Sequence, residues 1–120
     1  MKIINSINMA LKLFEESAIL HGFSTLSGDY KQCNKHYECI MGCIEYLYNN
    51  KEVDTLKPFL DNKNTSVRMW AAYALLPLYT NKCKSVLAEI SFQQNILGFT
   101  AETTLQEWEK GKLKIHPEES

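Results

Sequence analysis

The side chains best suited to binding a metal ion lie close together in this sequence. Four potential ligands recur at spacings of three or four residues: Cys33, His36, Cys39 and Cys43. On a helix this spacing would place them on one side, and sulfur and imidazole nitrogen are the preferred ligands of zinc. Structural zinc sites normally separate their ligand pairs by a loop, and none occurs here. We therefore favour small buried cysteines with His36 at the surface, and predict no metal or other cofactor.

The sequence offers only weak candidates for catalytic residues. Cys83 follows a turn near a predicted helix start, where the helix dipole would favour its thiolate, but nothing in the sequence places His21 or His116 beside it. The neighbouring carboxylates Glu15–Glu16 and Glu118–Glu119 would point apart or lie in a tail. No glycine-rich phosphate-binding loop occurs. We predict no catalytic residues and no enzyme activity.

Aromatic residues in the stretch VRMWAAYALLPL, residues 67–78, indicate a binding surface instead. Its predicted inward side consists of Val67, Ala71, Leu75 and Leu78. Met69, Trp70 and Tyr73 then fall toward the flank of the helix, with Trp70 and Tyr73 as i, i+3 neighbours. Aromatic rings with polar tips are common in protein interfaces. The alternative is that Trp70 packs against an adjacent hairpin.

The elements that would position these residues are helices. Apolar residues recur every three or four positions in most of the chain, and no segment alternates as a strand does. The pattern predicts an all-α fold of about six helices in three antiparallel hairpins, over residues 3–48, 53–79 and 82–110. The resulting single domain spans residues 1–120, with a frayed tail at 112–120.

Helix boundaries follow from turn and capping residues. Gly22 is a candidate C-cap of the first helix, and residues 53–61 predict a short third helix bent by Pro58. One of three residues, Asn64, Thr65 or Ser66, should cap the fourth helix, which Pro77 should kink or end. The sixth helix should begin near Thr100 and end at Gly111.

Composition excludes several classes of partner. The 120-residue chain has a net charge of −1 and only one arginine, Arg68, which argues against nucleic-acid binding. The N-terminal segment is too polar for a signal peptide, and no window approaches the roughly 18 apolar residues of a membrane span. We therefore predict a soluble, cytoplasmic protein that binds neither nucleic acid nor membrane, with its cysteines reduced.

The segment TLKPFLDNKNTSVRMWAAYALLPL resembles a HEAT repeat, with Leu56, Pro58 and Leu60 before the turn and Ala71–Ala72 after it. More specifically, VRMWAAYALLPLYTNKCKSVLAEI and GFTAETTLQEWEKG are similar to a family of small bacterial HEAT-like proteins of unknown function. The similarity covers residues 54–111. It implies an all-α superhelix without enzyme activity, and some members of that family lie in toxin and immunity gene neighbourhoods.

The resemblance leads to a functional hypothesis. It implies a protein-binding module, most concretely an immunity protein that occludes the active site of a bacterial toxin. Trp70 and Tyr73 would anchor the toxin, and three carboxylates would form a polar rim: Glu38, Glu45 and Glu102. The alternative is a structural or regulatory helical-repeat scaffold without a toxin partner. A HEAT-like stack also predicts that Arg68 pairs with a carboxylate of a neighbouring hairpin, such as Asp61 or Glu102; the alternative is that Arg68 reaches the partner.

Overall fold

The computed structural model describes residues 4–115, and all regular secondary structure in that part of the chain is helical, with no strand. It contains five α-helices and one 3₁₀ helix, and these confirm the predicted all-α fold of six helices. The α-helices are α1 (Ile7–Ser27), α2 (Tyr30–Asn49), α3 (Thr65–Leu75), α4 (Thr80–Ser91) and α5 (Ile96–Glu109); the 3₁₀ helix is Val53–Asp61.

Four of the α-helices begin at a side-chain cap that the sequence supplies. The caps are Ser6 for α1, Asp29 for α2, Asn64 for α3 and Asn95 for α5, and each accepts a hydrogen bond from the backbone N–H three residues later. These bonds satisfy N–H groups that the first turn of a helix leaves without an internal partner. The predicted cap of α3 is thereby narrowed to Asn64.

Two predicted boundaries are wrong. Gly22 does not end α1, which continues to Ser27 and closes at Gly28 in the left-handed conformation, with a φ of 78°. Gly28 is suited to this role because it lacks the β-carbon that would clash there. The last helix begins at Ile96, earlier than Thr100, because Asn95 caps it. The break at Pro77 is confirmed, since α3 ends at Leu75.

Consecutive helices pack as antiparallel neighbours. In the α1–α2 pair, Thr25 lies beside Cys33 and His21 lies beside Tyr37. Residue numbers therefore increase along α2 as they decrease along α1, which is the antiparallel arrangement. The same order holds for α4 and α5, where the Lys84 ammonium lies 2.5 Å from a Glu109 carboxylate oxygen while Gly98 contacts the Gln93 backbone near the turn. The 3₁₀ helix packs on α3, which also contacts α1, α4 and α5. Helix α3 is therefore the central element.

The core is centred on α3. The set of α3 residues predicted to face the core is partly wrong. Val67, Ala71 and Leu75 are buried as predicted, but Leu78 is 43% exposed. Met69, predicted to lie on the flank, is buried. Because α3 is covered by neighbours on several sides, almost its whole circumference is buried, and Leu78 lies beyond its end in the turn to α4.

Within residues 4–115, no helix combines the length and apolar character needed to cross a membrane.

Candidate functional site

Trp70 is the centre of an aromatic cluster formed by α1, α2 and α3. Its ring packs edge to face against His21 and Tyr73, with centroids 5.3 Å away in both cases, and tilted against Tyr37 at 5.8 Å. These separations and angles are those that aromatic pairs prefer. The cluster therefore joins the first hairpin to α3.

Trp70 itself is a core residue, which corrects its predicted position on the flank. Only 8% of its surface is exposed, so it packs against the adjacent hairpin, as the alternative interpretation of the sequence proposed. Its indole Nε1 is buried and has no hydrogen-bond partner among the described residues. A buried donor without a partner costs roughly 1–3 kcal/mol. The ring is thus held by packing alone.

The rings around Trp70 reach the surface where Trp70 does not. Tyr37 is 44% exposed, and Tyr73 is half-buried. Burial raises the pKa of Tyr73, and the neighbouring Tyr37 raises it further, so the Tyr73 phenol stays a neutral donor at physiological pH. Trp70 supports these two rings from below.

The exposed side of α2 extends this aromatic surface. Tyr30 lies two turns before Tyr37 and is 80% exposed, and residues seven apart share one side of a helix. Glu38 and Glu45 are likewise exposed and two turns apart. We call Tyr30, Tyr37, Glu38, Glu45 and Tyr73 the tyrosine face.

Of the predicted partner-binding residues, Trp70 and Tyr73 are in ring contact, and Glu38 and Glu45 are exposed residues of α2. Tyr73, Glu38 and Glu45 belong to the tyrosine face, and Trp70 lies beneath it. Glu102 does not belong to it, because it lies on α5, which packs on α4, α1 and α3. There Glu102 is exposed and accepts a hydrogen bond from Gln106.

The potential metal ligands of α2 do not converge. Among the described residues, no group of three His, Cys, Asp or Glu side chains is placed to hold a metal ion. The Cys33 sulfur lies 3.4 Å from the Thr25 hydroxyl on α1, whereas Cys43 is buried. Burial, with the adjacent Cys39, raises the pKa of Cys43 to about 12. This thiol remains protonated at neutral pH and packs as an apolar side chain.

The candidate nucleophile Cys83 is also buried, and burial raises its pKa to about 11. The predicted lowering by the dipole of α4 is therefore outweighed by desolvation. His21 belongs to the aromatic cluster between α1, α2 and α3, whereas His116 lies outside the described residues.

A polar groove of about 310 Å³ lies between the end of the 3₁₀ helix, α3 and α4. Arg68 crosses it and donates to a carboxylate oxygen of Glu89 at 2.7 Å. Arg68 therefore pairs with a carboxylate of the neighbouring hairpin, as predicted, but the partner is Glu89 and not Asp61 or Glu102. The reason is register: the antiparallel packing of α3 on α4 places Glu89 opposite Arg68, just as it places Gln93 opposite Thr65.

Comparison with known proteins finds no matching family model, no similar curated protein and no similar solved structure.

Proposed function

We propose that this chain is a protein-binding module, most concretely an immunity protein that neutralises a cognate bacterial toxin by covering its active site. The observation that supports the proposal is the tyrosine face: two exposed tyrosines on α2 and a half-buried tyrosine on α3, with Tyr37 and Tyr73 packed on a buried tryptophan, and two exposed glutamates on α2. The toxin, and with it a bacterial and cytoplasmic setting, enters through the resemblance of residues 54–111 to HEAT-like proteins from toxin loci.

Occlusion requires a fixed surface and no bond-making chemistry. The side chains of the tyrosine face stand on helices, and Trp70 packs against Tyr37 and Tyr73 at the same time. Rings fixed before binding lose little conformational entropy in a complex, which favours affinity and slow dissociation. Tyrosine contributes both apolar contact area and a hydroxyl that can hydrogen-bond at the edge of an interface.

The carboxylates determine which toxins would fit best. Glu38 and Glu45 are exposed on α2, the helix that also carries Tyr30 and Tyr37. A nuclease has a basic substrate cleft, and acidic side chains that face such a cleft accelerate association. Glu102, the third carboxylate of the predicted polar rim, would reach the same partner only if the toxin also extended over α5.

The proposal is tested with the protein encoded beside this chain's gene. Binding would be measured by calorimetry, and protection by growth of cells that express the toxin. Replacing Tyr37 and Tyr73 together by alanine should weaken binding by about 2 kcal/mol or more, the usual threshold for interface anchors. The matched control is Phe92→Ala, which removes an exposed ring from the α4–α5 turn and should leave toxin binding unchanged.

Trp70 is not a suitable residue for testing the contact, because it is buried beneath the tyrosine face and does not reach the surface. Replacing it by alanine removes a buried ring and should cost about 3–5 kcal/mol of folding stability, so weaker binding would not identify a contact. The double tyrosine variant must therefore be shown to unfold at nearly the wild-type temperature. Unchanged affinity in that folded variant would refute the assigned face.

A scaffold without a toxin partner is the second candidate. It is favoured by exposed phenylalanine side chains on α1, α5 and the turn before α5, which the tyrosine face does not include. If the neighbouring gene product neither binds the chain nor harms cells, the immunity hypothesis fails and the scaffold remains.

A further inference from the structure

Helix α1 carries apolar side chains on its solvent side as well as toward the core. Ile19, Phe23 and Leu26 recur at i, i+4 and i+7 and are all exposed, Phe23 by 72%. An ordinary surface helix has polar residues at such positions. A continuous apolar stripe on the outside of a helix indicates that something covers it.

A second set of exposed apolar side chains lies around the start of α5. Phe92 is exposed by 83% and Phe99 by 67%, and Ile96 lies between them in sequence. Local structure fixes this turn: the Asn95 side chain caps α5, and Gly98 packs against the backbone of Gln93 and Ile90. The rings are therefore held outward by a well-defined turn.

The segments that carry the two sets both contact the first turn of α3. On one side, Gly22 of α1 packs directly on Ser66. On the other, the Gln93 amide lies 3.3 Å from the Thr65 hydroxyl, and α1 also contacts α5. The six side chains thus border one end of α3. We call them the phenylalanine surface: Ile19, Phe23, Leu26, Phe92, Ile96 and Phe99.

The two short segments that carry this surface contain no charged residue. Residues 17–28 and 90–101 contain no Asp, Glu, Lys or Arg, although 22% of the chain is charged. Basic side chains, which would attract an anionic lipid surface, are therefore missing from both segments, as are charges that would select an oppositely charged protein. A twofold contact places the same surface on both sides, so a surface without charge avoids like-charge repulsion.

The exposed area of the phenylalanine surface is also close to the area that a stable interface buries. If an aromatic side chain presents roughly 150–250 Å², the exposed fractions of the six residues amount to roughly 700 Å². Stable interfaces bury roughly 800 Å² on each partner, and interfaces between identical subunits are the more apolar ones.

We propose that the phenylalanine surface is the interface of a symmetric dimer of this chain. Each copy covers the exposed rings of the other, and the tyrosine faces, formed by α2 and α3, remain available on both copies. The proposal goes beyond toxin binding and does not depend on it.

Sedimentation equilibrium of the full chain tests the proposal. The wild-type protein should show a mass twice that of the 13.8 kDa chain at about 100 µM. Phe23→Glu should raise the dimer dissociation constant by about 30-fold or more, since it places a charge in the apolar contact. The matched control is Leu78→Glu, which adds the same charge at an exposed leucine after the other end of α3 and should leave the dimer intact.

Circular dichroism should show that both variants are folded, because both replaced side chains are exposed. Phe99→Glu gives an independent test from the other half of the surface and should also yield monomers. A wild-type monomer at about 100 µM, or a Phe23→Glu protein that dimerises like the wild type, would overturn the proposal. So would a wild-type monomer that co-sediments with phosphatidylcholine vesicles, since the surface would then be a membrane contact. The Tyr37→Ala, Tyr73→Ala protein should dimerise normally, which separates this proposal from toxin binding.

Discussion

Gly22 of α1 and Ser66 of α3 approach so closely that a β-carbon on residue 22 would lie 2.6 Å from the Ser66 β-carbon. Real β-carbons essentially never come this near another atom. The hydrogen of Gly22 therefore sets the distance between the two helices. At the same crossing, His21, which precedes Gly22, contacts Trp70, which lies one turn after Ser66.

We predict that Gly22→Ala destabilises the protein by about 1–3 kcal/mol, the range found for overpacked cores. The measurement is chemical denaturation followed by circular dichroism. Gly42→Ala is the matched control: it lies inside α2 with nothing within 4 Å of the added carbon, and should stabilise by about 0.5–1 kcal/mol. Adding Ser66→Gly to Gly22→Ala should restore part of the loss. If Gly22→Ala stabilises like Gly42→Ala, the helices are not in close contact at this pair.

We predict that Tyr48→Phe lowers the free energy of unfolding by about 1 kcal/mol. The Tyr48 hydroxyl donates to the Ala74 carbonyl oxygen at 2.6 Å in the interior, joining α2 to the last turn of α3. Carbonyls in that turn have no partner within their own helix, so losing the hydroxyl leaves a buried acceptor. Tyr46→Phe, at a half-buried residue on the same helix, should change stability little. Equal effects of the two variants would contradict the assigned bond.

We predict that the protein loses stability as the pH falls below about 6.5, in part through His21. Burial lowers the pKa of His21 in the folded chain, and the nearby His36 lowers it further. The unfolded chain therefore takes up the proton first. The stability contributed by neutral His21 is present above the unfolded-state pKa and is lost as the pH falls through it toward the folded value.

Two measurements check this prediction. In an NMR titration, the His21 ring should titrate below its ordinary pKa, and His36→Gln should move its midpoint upward. The stability of His21→Gln should depend less on pH between about 5 and 7 than that of the wild type. A His21 midpoint at or above about 6.5 would be inconsistent with a desolvated ring.

We predict that iodoacetamide modifies Cys33 and Cys39 well before Cys43 and Cys83. The first two are half-buried and the other two fully buried, and burial raises the pKa of Cys43 to about 12 and that of Cys83 to about 11. Only the thiolate is alkylated, so at about pH 8 these two react after local or global opening. Peptide mass spectrometry after timed labelling shows the order, and adding denaturant should make all four react alike. Early modification of Cys43 in the folded protein would contradict the assigned packing.

Local rules account for much of the fold. The period of three to four predicts the helices, and Asn64 and Pro77 mark both ends of α3 as the sequence indicates. The short helix over residues 53–61 was predicted with its observed bounds, although it forms a 3₁₀ helix. Each of these features depends on bonds or steric limits within a few residues. Helical periodicity also identified three residues as exposed or half-exposed: Tyr73, Glu38 and Glu45.

The tertiary structure decided which flank of each helix is covered. Trp70 is buried and Tyr37 is exposed because α1, α2 and α3 meet around the indole, a meeting that helical periodicity does not encode. Gly22 could be interpreted as a helix end until its contact with Ser66 showed it to be a crossing point. The partner of Arg68 likewise depends on the packing of α3 against α4, which are joined by contacts between residues distant in sequence. Periodicity gives each helix an apolar side, whereas the order and register of packing determine which neighbour covers that side and which apolar residues remain exposed.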